Sequence, residues 1–241
     1  MKKQISFLTL LFAVLSLVFL LLLVFLRFAF PPYPLISYQD ALDLLTPLVL
    51  IPIYWLLFKA AASEESSLSE EIVFLFFATF WVQGQGMHLS ANSINNLIES
   101  LAKSQVIDIT STEIYRLAYF FDEYLSHYLW HIGILGLAAL LIYREWKRPA
   151  EKSTTWWAAI LAGIIYGFTY FCIFLEGKNV VMGLPFAILV VAFTLISERS
   201  RLPKRPVLAF FFISCLFAFA LFAGWGLYWG GFPEFSDVGL I

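Results

Sequence analysis

The chain has 241 residues, of which 61% are hydrophobic, 19% aromatic and only 13% charged. A soluble domain of average composition carries about 25% charged and about 45–50% apolar residues. A soluble globular fold is therefore excluded, and so is a disordered chain. The formal net charge of −2 argues against a general nucleic-acid binder. We predict an all-α integral membrane protein with the lipid bilayer as its solvent.

Seven stretches are long and apolar enough to cross a bilayer, since a spanning helix needs about 20 such residues. The predicted spans are 5–30, 41–62, 72–91, 114–143, 156–175, 180–196 and 207–229. Together they predict one polytopic membrane domain over residues 1–241. The first span, which ends at a turn over 31–34, exceeds the about 7–15 apolar residues of a signal peptide, so we predict a retained anchor.

The distribution of lysine and arginine predicts the direction of the spans. With the N-terminus inside, eleven of the fifteen basic residues fall on the cytoplasmic side. The four on the outer side are Arg27, Lys103, Arg116 and Lys178. Because cytoplasmic loops carry the excess of positive charge, we predict the N-terminus in and the C-terminus out, in a plasma (inner) membrane of bacterial type.

The polar residues that fall inside the spans concentrate in two segments, 83–96 and 122–131. All three histidines of the chain lie there. Residues four apart share a helix face, so Glu123, His127 and His131 are predicted to form one stripe. Asp122 points about 100° away from Glu123 and is the second candidate. On the preceding span, His88 shares a face with two asparagines, Asn92 and Asn95.

These two polar faces lie at compatible depths on neighbouring antiparallel spans, so they are predicted to meet. Two imidazoles one turn apart, a third histidine and a carboxylate suit a divalent metal, with zinc the favoured ion. His88, His127, His131 and Glu123 would be the ligands. Glu123, or Asp122 in its place, would act as the general base. The surrounding polar side chains would orient ligands or hold a substrate; they are Gln85, Asn92, Asn95 and Ser126.

Other interpretations of the same residues stay open. Histidine and asparagine also fasten membrane helices together by hydrogen bonds. His88 could instead face His127 or His131 across a single haem, whereas three histidines are too few for a two-haem path. A transporter needs polar groups through both leaflets, which the apolar inner halves of the spans disfavour. The last alternative is a structural or assembly protein without catalysis. Glu176, in the short loop before the sixth span, either solvates a tight turn or lines the same outer cavity.

Seven spans with a histidine and carboxylate cluster resemble, in architecture, the integral membrane metal hydrolases that include alkaline ceramidases and the progestin and adiponectin receptors. In that family the paired histidines sit near the last spans, whereas here His127 and His131 fall in the fourth. No residue is therefore carried over. The sequence favours a metal-dependent hydrolase that acts on a lipid or amphiphile at the outer leaflet, and leaves its oligomeric state open.

Overall fold

A computed structural model of the chain describes residues 2–26, 28–31, 33–62, 64–103, 111–147 and 153–240. The described part is built from α-helices with one small antiparallel sheet. The helices are α1 (Lys2–Phe25), α2 (Tyr38–Ala60), α3 (Leu68–Lys103), α4 (Glu113–Tyr119), α5 (His127–Lys147), α6 (Trp156–Glu176), α7 (Val180–Phe193) and α8 (Pro206–Trp229). The strands are β1 (Ala29–Phe30) and β2 (Tyr33–Ser37). The described chain also contains two π-helical turns, Phe120–Ser126 and Thr194–Glu198, and one 3-10 turn, Arg199–Lys204.

Seven helical stretches of the described chain are long and apolar enough to cross a membrane. One of them is continuous from Glu113 to Lys147, because the π-helical turn 120–126 joins α4 to α5 without a break. The prediction of seven spans in an all-α membrane protein is confirmed. Their direction across the bilayer stays a prediction, and Arg27, on which it partly depends, lies outside the described residues.

Two predicted span boundaries were wrong. The first helix ends at Phe25 rather than at residue 30, because β1 and β2 form a hairpin there. Pro31 lies in the turn of this hairpin, and a proline lacks the backbone N–H that a helix interior needs. Pro32, which also belongs to the predicted turn, lies outside the described residues. The third helix is longer than predicted. Its 36 residues, at 1.5 Å each, extend about 54 Å, against about 30 Å for a hydrocarbon core.

Close backbone contact joins α3 to α5. A Cβ atom at Gly84 would collide with the backbone of Trp130 and Ser126, and one at Gly133 would lie 2.6 Å from the backbone nitrogen of Trp81. Small residues at such positions let membrane helices approach closely. This seam fixes where the side chains of α3 face those of the π-helical turn.

The end of the bundle that holds Arg144 and Arg205 carries a network of buried ion pairs, and we call it the arginine end. Arg144 lies 2.8 Å from Glu70 and its guanidinium stacks on a phenylalanine ring. Glu145 accepts hydrogen bonds from the first two backbone N–H groups after Pro206, at 3.1 and 2.7 Å. Arg205 pairs with Glu198 at 2.9 Å. A carboxylate at a helix N-terminus and arginine–carboxylate pairs both offset the cost of burying charge.

Candidate functional site

At the opposite end of the bundle, which we call the histidine end, the helices enclose a cavity of about 300 Å³. We call it the polar cavity. Its walls come from α1, α2, α3, the π-helical turn, α5, α6 and the first residue after α6. The lining residues are Leu20, Leu23, Val24, Gln39, Asp40, Asp43, His88, Asn92, Glu123, His127, Trp130, Ile173, Glu176 and Gly177. Carboxylates and imidazoles therefore face a space that is large enough for a small polar group.

The π-helical turn decides which carboxylate meets the histidines. A π-helix bonds residue i to i+5, so it shifts the face that each preceding side chain occupies. Asp122, five residues before His127, faces α3 here, where it lies next to His88 and Asn95. The Nδ1 atom of His88 lies 2.8 Å from Oδ1 of Asp122, and Asp122 is only 1% exposed. Glu123 itself lines the polar cavity together with His88 and His127, so the π-helical turn adds Asp122 as a second carboxylate next to His88.

His88 is flanked by a second carboxylate that the sequence reading did not include. Oδ2 of Asp43, on α2, lies 3.9 Å from Nε2 of His88. The other oxygen of Asp43 accepts a hydrogen bond of 2.7 Å from Gln85, which in turn accepts one of 2.7 Å from Trp81. Gln85 is fully buried, so it orients Asp43 rather than lining the cavity. Two carboxylates therefore share a single imidazole.

The two asparagines of α3 hold acidic side chains in place. Asn92 donates to Asp40 at 3.0 Å, and Asn95 donates to Asp122 at 3.2 Å. Asp40 also accepts from the backbone N–H of Ser37 at 2.7 Å, in a capping box that starts α2. Each asparagine therefore acts on a carboxylate, the kind of orienting role that the sequence suggested for both.

Glu123 belongs to a different group of charges. It pairs with Lys178 at 2.8 Å, and Lys178 also lies 3.1 Å from Glu234 in the segment after α8. Lys178 has a left-handed backbone conformation, with φ of 53°, which costs free energy for a residue with a side chain. Burial acts to lower the pKa of Lys178, but the hydrogen bond and charge of Glu123, aided by Glu234, raise it above its ordinary value. Glu123 is therefore tied by a lysine at the edge of the cavity.

The histidines do not all converge. The rings of His88 and His127 lie 4.8 Å apart, and both line the polar cavity. His131 is fully buried instead: its ring stacks on Trp130 and Phe174, and its Nδ1 lies 2.9 Å from the side-chain nitrogen of Asn179. His131 therefore packs the bundle behind the cavity wall.

Ser126 is also turned away from the ligands it was predicted to orient. Its hydroxyl donates to the backbone carbonyl of Asp122, within the π-helical turn. In the part of the chain that the structure describes, no group of three or more His, Cys, Asp or Glu side chains is arranged to hold a metal ion. The prediction of a zinc site with His88, His127, His131 and Glu123 as ligands stays a prediction.

A narrow apolar pocket of about 40 Å³ lies against the polar cavity. It is lined by residues of α1, α2, α3, α5 and α6, among them Phe12, Leu50 and Tyr166. Four side chains line both spaces: Leu20, Leu23, Trp130 and Ile173. The polar cavity and the apolar pocket are therefore neighbours that share a wall.

The sequence reading missed Asp40, Asp43 and Asn179. The sequence holds a signal for Asp40, because Ser37 and Asp40 have the spacing of a capping box. This capping box places the start of α2 before residue 41, where the second span was predicted to begin. Asp43 already falls inside the predicted span 41–62, so it was an ionisable residue within a span and a functional candidate by default. Glu176 does line the polar cavity, the second of its two interpretations, and it also accepts a 2.6 Å hydrogen bond from the backbone of Phe235.

Comparison with known proteins supports the membrane class. The chain is similar to the ceroid-lipofuscinosis neuronal protein 6 homolog of Canis lupus familiaris, with 23% identity over 200 residues. The match covers 78% of this chain and 62% of the length of that relative, which is a multi-pass protein of the endoplasmic reticulum membrane. No family profile matches the chain, and no solved structure matches it. The chain is thus a polytopic membrane protein, whereas its predicted plasma-membrane location stays a prediction.

Proposed function

We propose that this polytopic membrane protein binds a lipid or other amphiphile at the histidine end. The polar head occupies the polar cavity, and the start of the apolar chain occupies the adjoining apolar pocket. The observation that carries the proposal is the shared wall of Leu20, Leu23, Trp130 and Ile173. Ligand sites are mostly apolar clefts with a few convergent polar groups, and an amphiphile requires both kinds of surface side by side.

A photo-crosslinking experiment tests this proposal. The purified protein in lipid nanodiscs is exposed to a long-chain alcohol that carries a diazirine, irradiated, and analysed by peptide mass spectrometry. We expect labels to concentrate on the peptides that contain Leu20 and Ile173. Ile173→Trp, which fills the shared wall, is expected to reduce this labelling, whereas Ile188→Trp on the exposed face of α7 leaves it unchanged. Equal labelling of all lipid-facing helices in both variants would contradict the proposal.

Metal-dependent hydrolysis of that amphiphile is the second candidate function. The observation that favours it is the pair of imidazoles, His88 and His127, next to Asp43 and Asp122 at the polar cavity. Imidazole and carboxylate are ligands that zinc accepts, and a bound zinc would activate water. Elemental analysis of the purified protein is expected to show stoichiometric zinc that His88→Ala removes. A preparation free of bound metal after incubation with zinc would contradict it.

The loop charges favour an orientation that places the histidine end at the outer leaflet of a plasma membrane. Cysteine labelling tests this direction. Glu113 and Glu65 are exposed near opposite ends of the bundle, and the native Cys172 and Cys215 are buried. A membrane-impermeant maleimide applied to intact cells is expected to label Glu113→Cys and not Glu65→Cys. The reverse pattern would show the opposite orientation, and labelling of neither would place the protein in an internal membrane.

A further inference from the structure

We propose that the head group held in the polar cavity is cationic, an ammonium that donates hydrogen bonds. This inference rests on the proposed function and names its ligand class. Four carboxylates line the cavity: Asp40, Asp43, Glu123 and Glu176. None of the described residues that line it is a lysine or an arginine. A head group that enters the cavity therefore meets an excess of negative charge.

The distribution of partners shows where the uncompensated charge lies. Asp40 accepts from Ser37 and Asn92, and Glu123 is paired with Lys178. Asp43 differs from them, because its cationic neighbour is His88, at 3.9 Å. His88 lies closer to Asp122, at 2.8 Å.

His88 carries at most one positive charge, so it can balance only one of the two carboxylates beside it. Removing charge from water is costly unless an opposite charge repays it. A second cation at Asp43 would supply that compensation, and Asp43 faces the cavity where such a cation would sit.

Two unpartnered polar atoms at the cavity wall are independent signs of a ligand. His127 is 5% exposed, and its Nδ1 atom has no hydrogen-bond partner among the described residues. A neutral imidazole nitrogen can accept a hydrogen bond from an ammonium. The indole nitrogen of Trp130 is likewise buried and unpartnered in the described chain. The same indole ring lines the cavity, and aromatic faces attract ammonium groups.

The geometry therefore assigns three roles. Asp43 supplies the counter-charge, and the side chain of Gln85 fixes its orientation through a 2.7 Å hydrogen bond. His127 accepts a hydrogen bond from the head group. Trp130 spans the boundary between the polar cavity and the apolar pocket, so the bond between head and chain lies against its ring. A chain with an amine at its end satisfies all three.

Three diazirine probes with the same hexadecyl chain test this inference in nanodiscs: hexadecylamine, hexadecanol and hexadecanoic acid. The readout is the mole fraction of probe that half-saturates labelling of the peptide containing Ile173. We expect the amine to saturate at about ten- to a hundredfold lower mole fraction than the alcohol, the range of one charged hydrogen bond. We expect the acid to saturate later than the alcohol, since the cavity carries excess negative charge.

The matched variants are Asp43→Asn and Asp237→Asn, the latter in the segment after α8 and away from the cavity. Asp43→Asn is expected to bring the amine to the level of the alcohol while labelling by the alcohol persists, which also shows that the variant is folded. Asp237→Asn is expected to keep the preference. Equal saturation by amine and alcohol in the unmodified protein would overturn the cationic assignment and leave the proposed function standing. Absence of saturable labelling by any probe would overturn the proposed function itself.

Discussion

At the arginine end, Glu145 accepts hydrogen bonds from the N-terminus of α8, and Glu198 pairs with Arg205. At the histidine end, in contrast, Asp43 and Asp122 share the single imidazole of His88. Both ends bury acidic side chains, and they lie about 26 Å apart, the rise from His127 to Arg144 along α5. The arginine end thus compensates its buried charge within the chain. The histidine end leaves part of its charge without an internal partner, beside a cavity.

This difference separates charge that stabilises a fold from charge that is available to a ligand. A buried carboxylate with an arginine partner and good hydrogen bonds repays its desolvation in the folded state. For a buried carboxylate beside a cavity, the desolvation cost is offset only when a ligand binds there. Intramembrane ionisable residues are costly, so their retention beside a cavity favours a functional role. The comparison predicts that equivalent substitutions at the two ends have unequal effects on stability.

The largest effect is expected from Arg144→Met at the arginine end. It removes a fully buried guanidinium that lies 2.8 Å from the half-buried Glu70 and 2.8 Å from the backbone carbonyl of Glu64, and breaking a buried pair costs at most about 3–5 kcal/mol. Thermal unfolding in detergent measures the change. The matched control is Arg116→Met, since Arg116 and Glu113 form an exposed pair that contributes at most about 1 kcal/mol. Equal melting temperatures for the two variants would show that the arginine end is not a stabilising network.

Gly84→Ala is expected to have the next largest effect. Its new Cβ would meet the backbone of Trp130 and Ser126, so α3 and α5 must separate. Overpacking of this kind costs about 1–3 kcal/mol, and the separation also moves His88 away from Asp122. Gly86→Ala is the control on the same helix, because nothing lies within 4 Å of the added atom. If both variants unfold at the same temperature, the α3–α5 seam does not set the geometry of the histidine end.

The contrast between the ends also marks what the sequence could predict. The number of spans follows from the length of the apolar runs, whereas the end of the first span depends on the hairpin of β1 and β2. The face presented by Asp122 depends on a π-helical turn, and one extra residue per turn is invisible to a reading based on the regular helical period. Composition and spacing therefore located the two polar segments, whereas the contact of His88 with Asp122, the second candidate, depends on this turn.

Asp43 was missed for a different reason. Its place inside the predicted second span was visible in the sequence, but its position next to His88 depends on how α2 packs against α3 through Gln85. The separation of His131 from His88 has a similar origin. His131 faces Phe174 and Asn179 on the far side of the seam, which depends on how α5 packs against α6. Residue type and helical spacing predict candidates, whereas packing decides which of them meet.

Asp43→Asn tests the same comparison at the histidine end, where the loss of a buried charge is not expected to lower the free energy of unfolding. The amide keeps an oxygen that can accept from Gln85, while the uncompensated charge disappears. We therefore expect the free energy of unfolding to stay within about 1 kcal/mol of the unmodified protein, or to rise. Glu145→Gln at the arginine end is the counterpart, and it is expected to destabilise because the charge that faces the N-terminus of α8 is lost. A loss of stability in Asp43→Asn as large as in Arg144→Met would mean that Asp43 is compensated internally.

The smallest effect is expected at the edge of the histidine end, where Glu234, in the segment after α8, lies 3.1 Å from Lys178. Burial raises the pKa of Glu234 above its ordinary value of 4.5, and this influence outweighs the opposing one of Lys178. The contribution of Glu234 to folding is therefore fully present below that ordinary value and is lost as the pH rises through the folded pKa. Glu234→Gln removes this dependence and changes stability by less than about 1 kcal/mol, as expected for a partly exposed ion pair.

Hydrogen exchange of residues 230–240, corrected for its intrinsic pH dependence, measures this effect. In the unmodified protein, protection of the backbone N–H of Phe235 is expected to fall as the pH rises above 4.5. In Glu234→Gln that slope is expected to flatten, while Glu65→Gln, exposed at the other end, keeps it. An unchanged slope in Glu234→Gln would assign the pH dependence to Glu176, which accepts the Phe235 hydrogen bond at the cavity wall. The wall of the polar cavity, rather than its edge, would then control how the segment docks.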